Sequence, residues 1–386
     1  MKKICFGVVL WTILVSLCAV QTSGVAYAED LSDTVDQTLD AVDLSAFDEL
    51  LNGLEGGDFV SGVRELVKDI LSGKNDFDFS YFLRFFSGIL LGEVRNVLPH
   101  LTIIVVVCLL YGILKNLTER FKRTDATKVA YLACAGVVVT VIAHLVAKSV
   151  TETTSAIRTM QTISEGCFPV LVTLVAAVGG TASASVFQPM VAVFGAVLLK
   201  MITVFVIPLF FSSLVFGLVG NFSEQIKLDK LSKSIRSVAF WAIGLVFGLF
   251  STLLTAQGVT GASVDGLAIR GAKFALSSYV PVVGSYVKEG FDLVVAGCLA
   301  VKNGLGLVAV VLLVLTVFIP VVKMAILHLS LKVMAGILQP VSDEKFCSTM
   351  VSCAESLKIL LVATISAGLS ALLFLMTILF VCNVSI

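Results

Sequence analysis

Residues 304–322, GLGLVAVVLLVLTVFIPVV, run for nineteen positions without a charge. An apolar helix needs about 20 residues to cross the ~30 Å hydrocarbon core of a bilayer. Comparable runs recur at Val97–Leu114, Val129–Ala147, Val238–Thr255 and Ile359–Cys382. Such runs leave little choice of fold. In lipid the backbone must satisfy its own N–H and C=O groups, and a helix does so within one segment. Composition agrees: 14% of the chain is charged and the mean hydropathy is +1.02, whereas soluble domains carry roughly 25% charged residues. The expected class is an all-α polytopic integral membrane protein.

Two stretches are less regular. Residues 168–220 form a 53-residue segment with few charges, and 324–340 carries His328 and Lys332. Within the first, CFPVLVTLVAAVGGTASASVFQP (167–189) begins like a span and is interrupted by small residues from Gly179 to Ser185. Orientation follows from basic loops, which stay cytoplasmic. Lys115, Arg120, Lys122, Arg123 and Lys128 mark 115–128; Lys227, Lys230, Lys233 and Arg236 mark 221–237. The segment 148–167, with only Lys148 and Arg158, is expected outside. The chain then crosses an odd number of times between 168 and 220, which one span plus a re-entrant hairpin satisfies. The expectation is about six or seven transmembrane helices with one or two re-entrant segments.

The start of the chain reads as a secretory signal over 1–28: Lys2 and Lys3, an apolar stretch, then Ala26-Tyr27-Ala28 as a small-x-small cleavage site. Cleavage places Glu29 outside. Residues 29–78 hold fourteen acidic side chains against Arg64, Lys68 and Lys74, with apolar residues at helical spacing. The aromatic-rich stretch from Phe77 to Arg95 reads as an interfacial helix. The expected organisation is a signal (1–28), an acidic amphipathic extracytoplasmic segment (29–95) and a polytopic membrane domain (96–386).

A parallel internal repeat is expected over 165–257 and 277–382. Pro169 and Pro208 are 39 residues apart, as are Pro281 and Pro320, and 231–249 aligns with 351–369, matching Ser232 to Ser352 and Gly248 to Gly368. Chance similarity between apolar stretches is the competing reading. The second half's counterpart of the glycine break, 279–304, carries Lys288, Glu289 and Asp292. These charges suit a re-entrant or amphipathic element lining water, or a solvated helix face through the i,i+4 pair Lys288–Asp292. Lys200 is an isolated charge in an apolar run. It is either a functional intramembrane cation or a side chain snorkelling to an interface. Gly244 and Gly248 form a GxxxG helix-packing element.

Catalytic and nucleotide signatures are missing. The nearest approach to a P-loop, Gly266 to Lys273, has Ala272 where lysine is required. The cysteines outside the signal form no CxxC pair and suit buried packing. No cofactor, metal site or nucleic-acid surface is expected, and energy for transport would come from a partner or an ion gradient.

Three segments carry a resemblance: VGGTASASVFQPMV (178–191), YVPVVGSYVKEGFDLVVAGCLAVKNGLGLV (279–308) and LKVMAGILQPVSD (331–343). With the signal and the acidic N-terminal segment, they resemble the stage III sporulation protein AE family of endospore-forming bacteria. That resemblance implies a subunit of a secretion-like channel in the mother-cell membrane around the forespore. Its partners would be other proteins of the complex, including a separate cytoplasmic ATPase, and a forespore-side protein across the intermembrane space. It brings no catalytic residues. On this reading Gly179, Gly180, Ser183 and Ser185 form a thin-walled break near a conduit, with Lys288, Glu289 and Asp292 near its second half. An autonomous ion-coupled permease and a structural scaffold are the alternatives.

Overall fold

The computed structural model describes residues 79–120, 124–222, 228–279 and 284–380. The signal peptide, with Ala26 and Ala28, and the acidic segment up to residue 78 lie outside the described residues. Among the described residues there are seven α-helices and one π-helical turn: α1 (Phe79–Arg120), α2 (Thr124–Ala177), α3 (Thr181–Lys200), the π turn (Met201–Val206), α4 (Ile207–Phe222), α5 (Asp229–Tyr279), α6 (Gly284–Leu338) and α7 (Glu344–Phe380). Among the described residues six helical stretches are long and apolar enough to cross a bilayer. The protein is therefore a polytopic all-α membrane protein.

α7 is the axis of the bundle. It packs against α2, α4, α5 and α6, and 56% of its most apolar window is buried, against 17% for α5. Its buried residues Phe346, Met350, Leu357, Leu360, Phe374 and Ile378 leave only a narrow exposed strip. α6 can approach α7 closely because Gly306 faces Leu379 and Gly368 faces Val317, where a Cβ would overlap the opposing side chain. The chain ends of one side meet: Lys115, near the end of α1, pairs with Asp343 in the turn between α6 and α7 at 2.9 Å.

The interruption in 168–220 has a specific local cause. Gly179 adopts φ 102°, its N–H donates to the Ala176 carbonyl, and the Gly180 N–H donates to the Val175 carbonyl. This is the Schellman arrangement that stops a helix, with glycine at the left-handed position. The Gly180 carbonyl then accepts the Ala184 N–H, opening α3. The two glycines are thus the tip of a hairpin between two long helices. Beyond the tip, α3, the π turn and α4 continue end to end. The π turn precedes Pro208, whose ring would crowd a normal i−4 carbonyl; the Ile207 N–H reaches Ile202 instead.

Several expectations about segmentation change. Residues 148–167 are helical and belong to α2 rather than to an outer loop. Their polarity disguises the helix, because the Thr151, Thr153, Thr154 and Ser164 hydroxyls donate to carbonyls four residues back, while Ile157, Met160 and Ile163 are buried. At 54 residues, α2 is about 80 Å long if straight, well beyond the ~30 Å core. Residues 168–177 are its last turns, through Pro169, and 181–222 return as one rod. Likewise 284–304 are the first turns of α6, which runs unbroken through Pro320 to Leu338. The stretches expected as re-entrant are helical: 168–177 and 181–200 are the two arms that meet at the Gly179-Gly180 tip, and 284–304 open α6. The segment 324–340 is chiefly the far end of α6, and the expected interfacial helix is continuous with the first span in α1.

Candidate functional site: polar layers inside an apolar bundle

Two polar layers interrupt the buried core. The first lies at the hairpin tip. Gly180 stands where a helix N-cap side chain would normally accept the N–H groups of the first turn, and glycine has none to offer. Asp265 of α5 fills that role from another helix. Its two oxygens accept the Ala182 and Ser183 N–H groups at 3.0 and 3.1 Å, and the residue is fully buried. Carboxylate at a helix N-terminus is favoured by the positive end of the helix dipole. A complementary contact closes α7: Lys302 of α6, also fully buried, donates from Nζ to the Leu379 carbonyl at 3.0 Å, one residue before the helix ends. A buried aspartate side chain thus caps one helix start, and a buried lysine side chain caps one helix end.

The second layer lies toward the opposite helix ends, with Ser232 in the first turn of α5, Ser213 near the middle of α4 and Ser356 about three turns into α7. Ser213 of α4 and Ser356 of α7 share a hydroxyl contact of 3.0 Å. Ser232 of α5 donates to the Ser213 carbonyl at 2.8 Å. Arg236 reaches the Ser232 hydroxyl at 3.2 Å and the Ser352 carbonyl at 3.4 Å. Ser213, Ser232 and Ser356 are fully buried. Gly217 permits the convergence, because a Cβ there would overlap the Ser352 hydroxyl. Ser232 and Ser352 therefore both lie beside Gly217. Beside this layer Lys332 pairs with Glu355, Lys358 lies 3.8 Å from the same carboxylate, and His328 Nδ1 donates to the Ala354 carbonyl at 2.7 Å. Farther up, a small cavity opens beside the π turn, between Met201, Ile202, Phe247 and Ser370. Each hydroxyl of the layer finds its partner within the bundle.

The sequence-derived residues divide between these places. Gly179, Gly180, Ser183 and Ser185 are gathered at the tip. Ser183 is buried, and its hydroxyl has no partner among the described residues. Ser185 is exposed and donates to the Ala182 carbonyl at 2.7 Å. Lys200 is exposed at the other end of α3, beside the π turn and away from the tip. Lys288, Glu289 and Asp292 lie on the first three turns of α6, ahead of its apolar run. Gly244 and Gly248 are exposed, and a Cβ at either meets nothing within 4 Å, so within this chain they bring no helix close. Among the described residues no group of three His, Cys, Asp or Glu side chains could hold a metal.

Sequence reasoning missed Asp265, Lys302 and the serine layer. A signal existed for the first: between Arg236 and Arg270 the only charged residue is Asp265, and a lone charge in an apolar helix is a functional candidate by default. The serines gave none, since a single serine in an apolar helix is unremarkable until its partners on other helices are known.

The family described as stage III sporulation protein AE matches residues 61–385. The stage III sporulation protein AE of Bacillus subtilis (strain 168) is 26% identical over 320 residues, covering 81% of this chain and 79% of that protein. No solved structure matches.

Proposed function

Since the chain belongs to the stage III sporulation protein AE family, we propose that it is the membrane-embedded subunit of a transport complex that works during spore formation. The complex would lie in the mother-cell membrane around the forespore. A separate cytoplasmic ATPase would supply the energy this chain has no P-loop to capture, and a forespore-side partner would meet its extracytoplasmic segment. The observation that best supports transport over a scaffold is the buried layer of Ser213, Ser232 and Ser356 with Arg236. Packing alone is served at lower cost by apolar side chains, because every buried hydroxyl must find a partner.

The test replaces Ser213 and Ser356 together with alanine. Removing both partners of a hydrogen bond leaves fewer orphaned groups than removing one, so the protein should accumulate normally in membranes. Heat-resistant spore counts should fall by at least tenfold. Normal counts at normal protein level would sink the transport role of this layer. Solute movement by the purified chain alone in liposomes would instead favour an autonomous permease.

A further inference from the structure

We infer that Arg236, Lys332 and Lys358 form a binding site for the phosphate headgroup of an anionic lipid in the cytoplasmic leaflet. The inference stands independently of the transport reading.

Three helices contribute one cation each, and the three gather around a single carboxylate. Glu355 pairs with Lys332 and lies 3.8 Å from Lys358, and Arg236 reaches the Ser352 carbonyl, about one helical turn before Glu355 on α7, at 3.4 Å. Three positive charges thus gather near one carboxylate. The Lys332, Glu355 and Lys358 side chains each keep about a third of their surface open, so the excess charge is reachable from outside the bundle. Arg236 is fixed by two hydrogen bonds to Ser232 and Ser352, which leaves part of its planar donor fork available. Arginine and lysine in such a fixed cluster match phosphate oxygens.

The position selects a lipid rather than a soluble anion. Arg236 is the last charge on α5 before an uncharged run of 28 residues, 237–264, and no charge follows Lys358 to the end of the chain. The cluster therefore marks where α5 and α7 enter the apolar region. It does so on the side carrying the basic segment 221–237, which the positive-inside rule assigns to the cytoplasm. On α6, Leu329 and Val333 flank Lys332 and are 61% and 51% exposed, an apolar surface suited to acyl chains. Basic pockets between helices on the cytoplasmic side have the chemistry for anionic headgroups.

The experiment uses the full chain in detergent, titrated with phosphatidylglycerol and with phosphatidylcholine of the same acyl chains, and read by native mass spectrometry. Phosphatidylglycerol should bind more tightly, and Lys332→Gln or Lys358→Gln should each weaken it about fivefold. Glu355→Gln should leave binding unchanged or stronger, whereas a purely structural role for the ion pairs predicts a loss. Equal binding of the two lipids would overturn the proposal. So would undiminished phosphatidylglycerol binding by the Lys332→Gln/Lys358→Gln variant with wild-type helical content. Displacement of the lipid by inorganic phosphate at matched concentration would reassign the site to a free phosphate ester.

Discussion

Asp265 on α5 accepts the Ser183 backbone N–H at 3.1 Å, at the first turn of α3, while its other oxygen holds the Ala182 N–H at 3.0 Å. The contact joins residues 82 positions apart and ties the hairpin tip to α5, which follows one chain reversal later. Replacing Asp265 with alanine leaves two buried N–H groups without acceptors and should cost about 1–3 kcal/mol. Asp265→Asn keeps one good acceptor and should fall between. Thermal unfolding of the purified protein in detergent, followed by circular dichroism, would rank the three. An Asp265→Ala variant as stable as wild type would show that the cap carries no weight.

Gly179 presents a different constraint. At φ 102° a side chain is strained whatever space surrounds it, so Gly179→Ala should destabilise the hairpin by about 1–2 kcal/mol. This bears on functional tests: a bulky residue at Gly179 would damage the turn even if the tip did no work. Limited proteolysis in membranes should show faster cleavage near the tip in the variant. Unchanged cleavage would mean that the turn tolerates a non-glycine residue.

The fold was legible where one physical rule dominated. Uncharged runs of bilayer length identified the spans, and Gly179-Gly180 announced a break. How the break is held was not legible, because the acceptor for the first turn of α3 comes from Asp265 on a helix 82 residues away. Residues 151–164 were misread for another reason. Their hydroxyls are satisfied within the helix, so composition resembles a loop while hydrogen bonding does not. The serine layer was hidden because it assembles from α4, α5 and α7, and pairing across helices leaves no periodic trace in any one of them.

Gly217 offers a test of the serine layer's packing. A Cβ there would overlap the Ser352 hydroxyl and lie 3.3 Å from the Ser232 hydroxyl. Gly217→Ala should therefore destabilise by about 1–2 kcal/mol despite alanine's better helix propensity. Adding Ser352→Ala removes the nearer obstacle and should restore part of the loss. Residues in contact couple in this way, while distant ones add. A double variant whose melting shift equals the sum of the two single shifts would contradict the contact.

Asp343 ties acidity to the integrity of the turn between α6 and α7. It caps α7: its carboxylate accepts the Lys345 N–H at 3.0 Å, and its carbonyl accepts the Phe346 N–H at 3.1 Å. Lys115 completes the site from α1. Burial alone would raise the Asp343 pKa, but the Lys345 N–H and the Lys115 ammonium outweigh it and hold the group below its ordinary carboxylate value. A depressed folded-state pKa means that protons bind the unfolded chain more readily. The stabilisation is therefore complete above the unfolded value, near 4, and is lost as pH falls through the lower folded value. Wild type should melt higher than Asp343→Asn at pH 7, and the gap should close as pH falls below about 4. Melting curves of both proteins from pH 7 to pH 3 would decide the matter. A gap that persists unchanged to pH 3 would assign the difference to the shape of the cap rather than to the charge of Asp343.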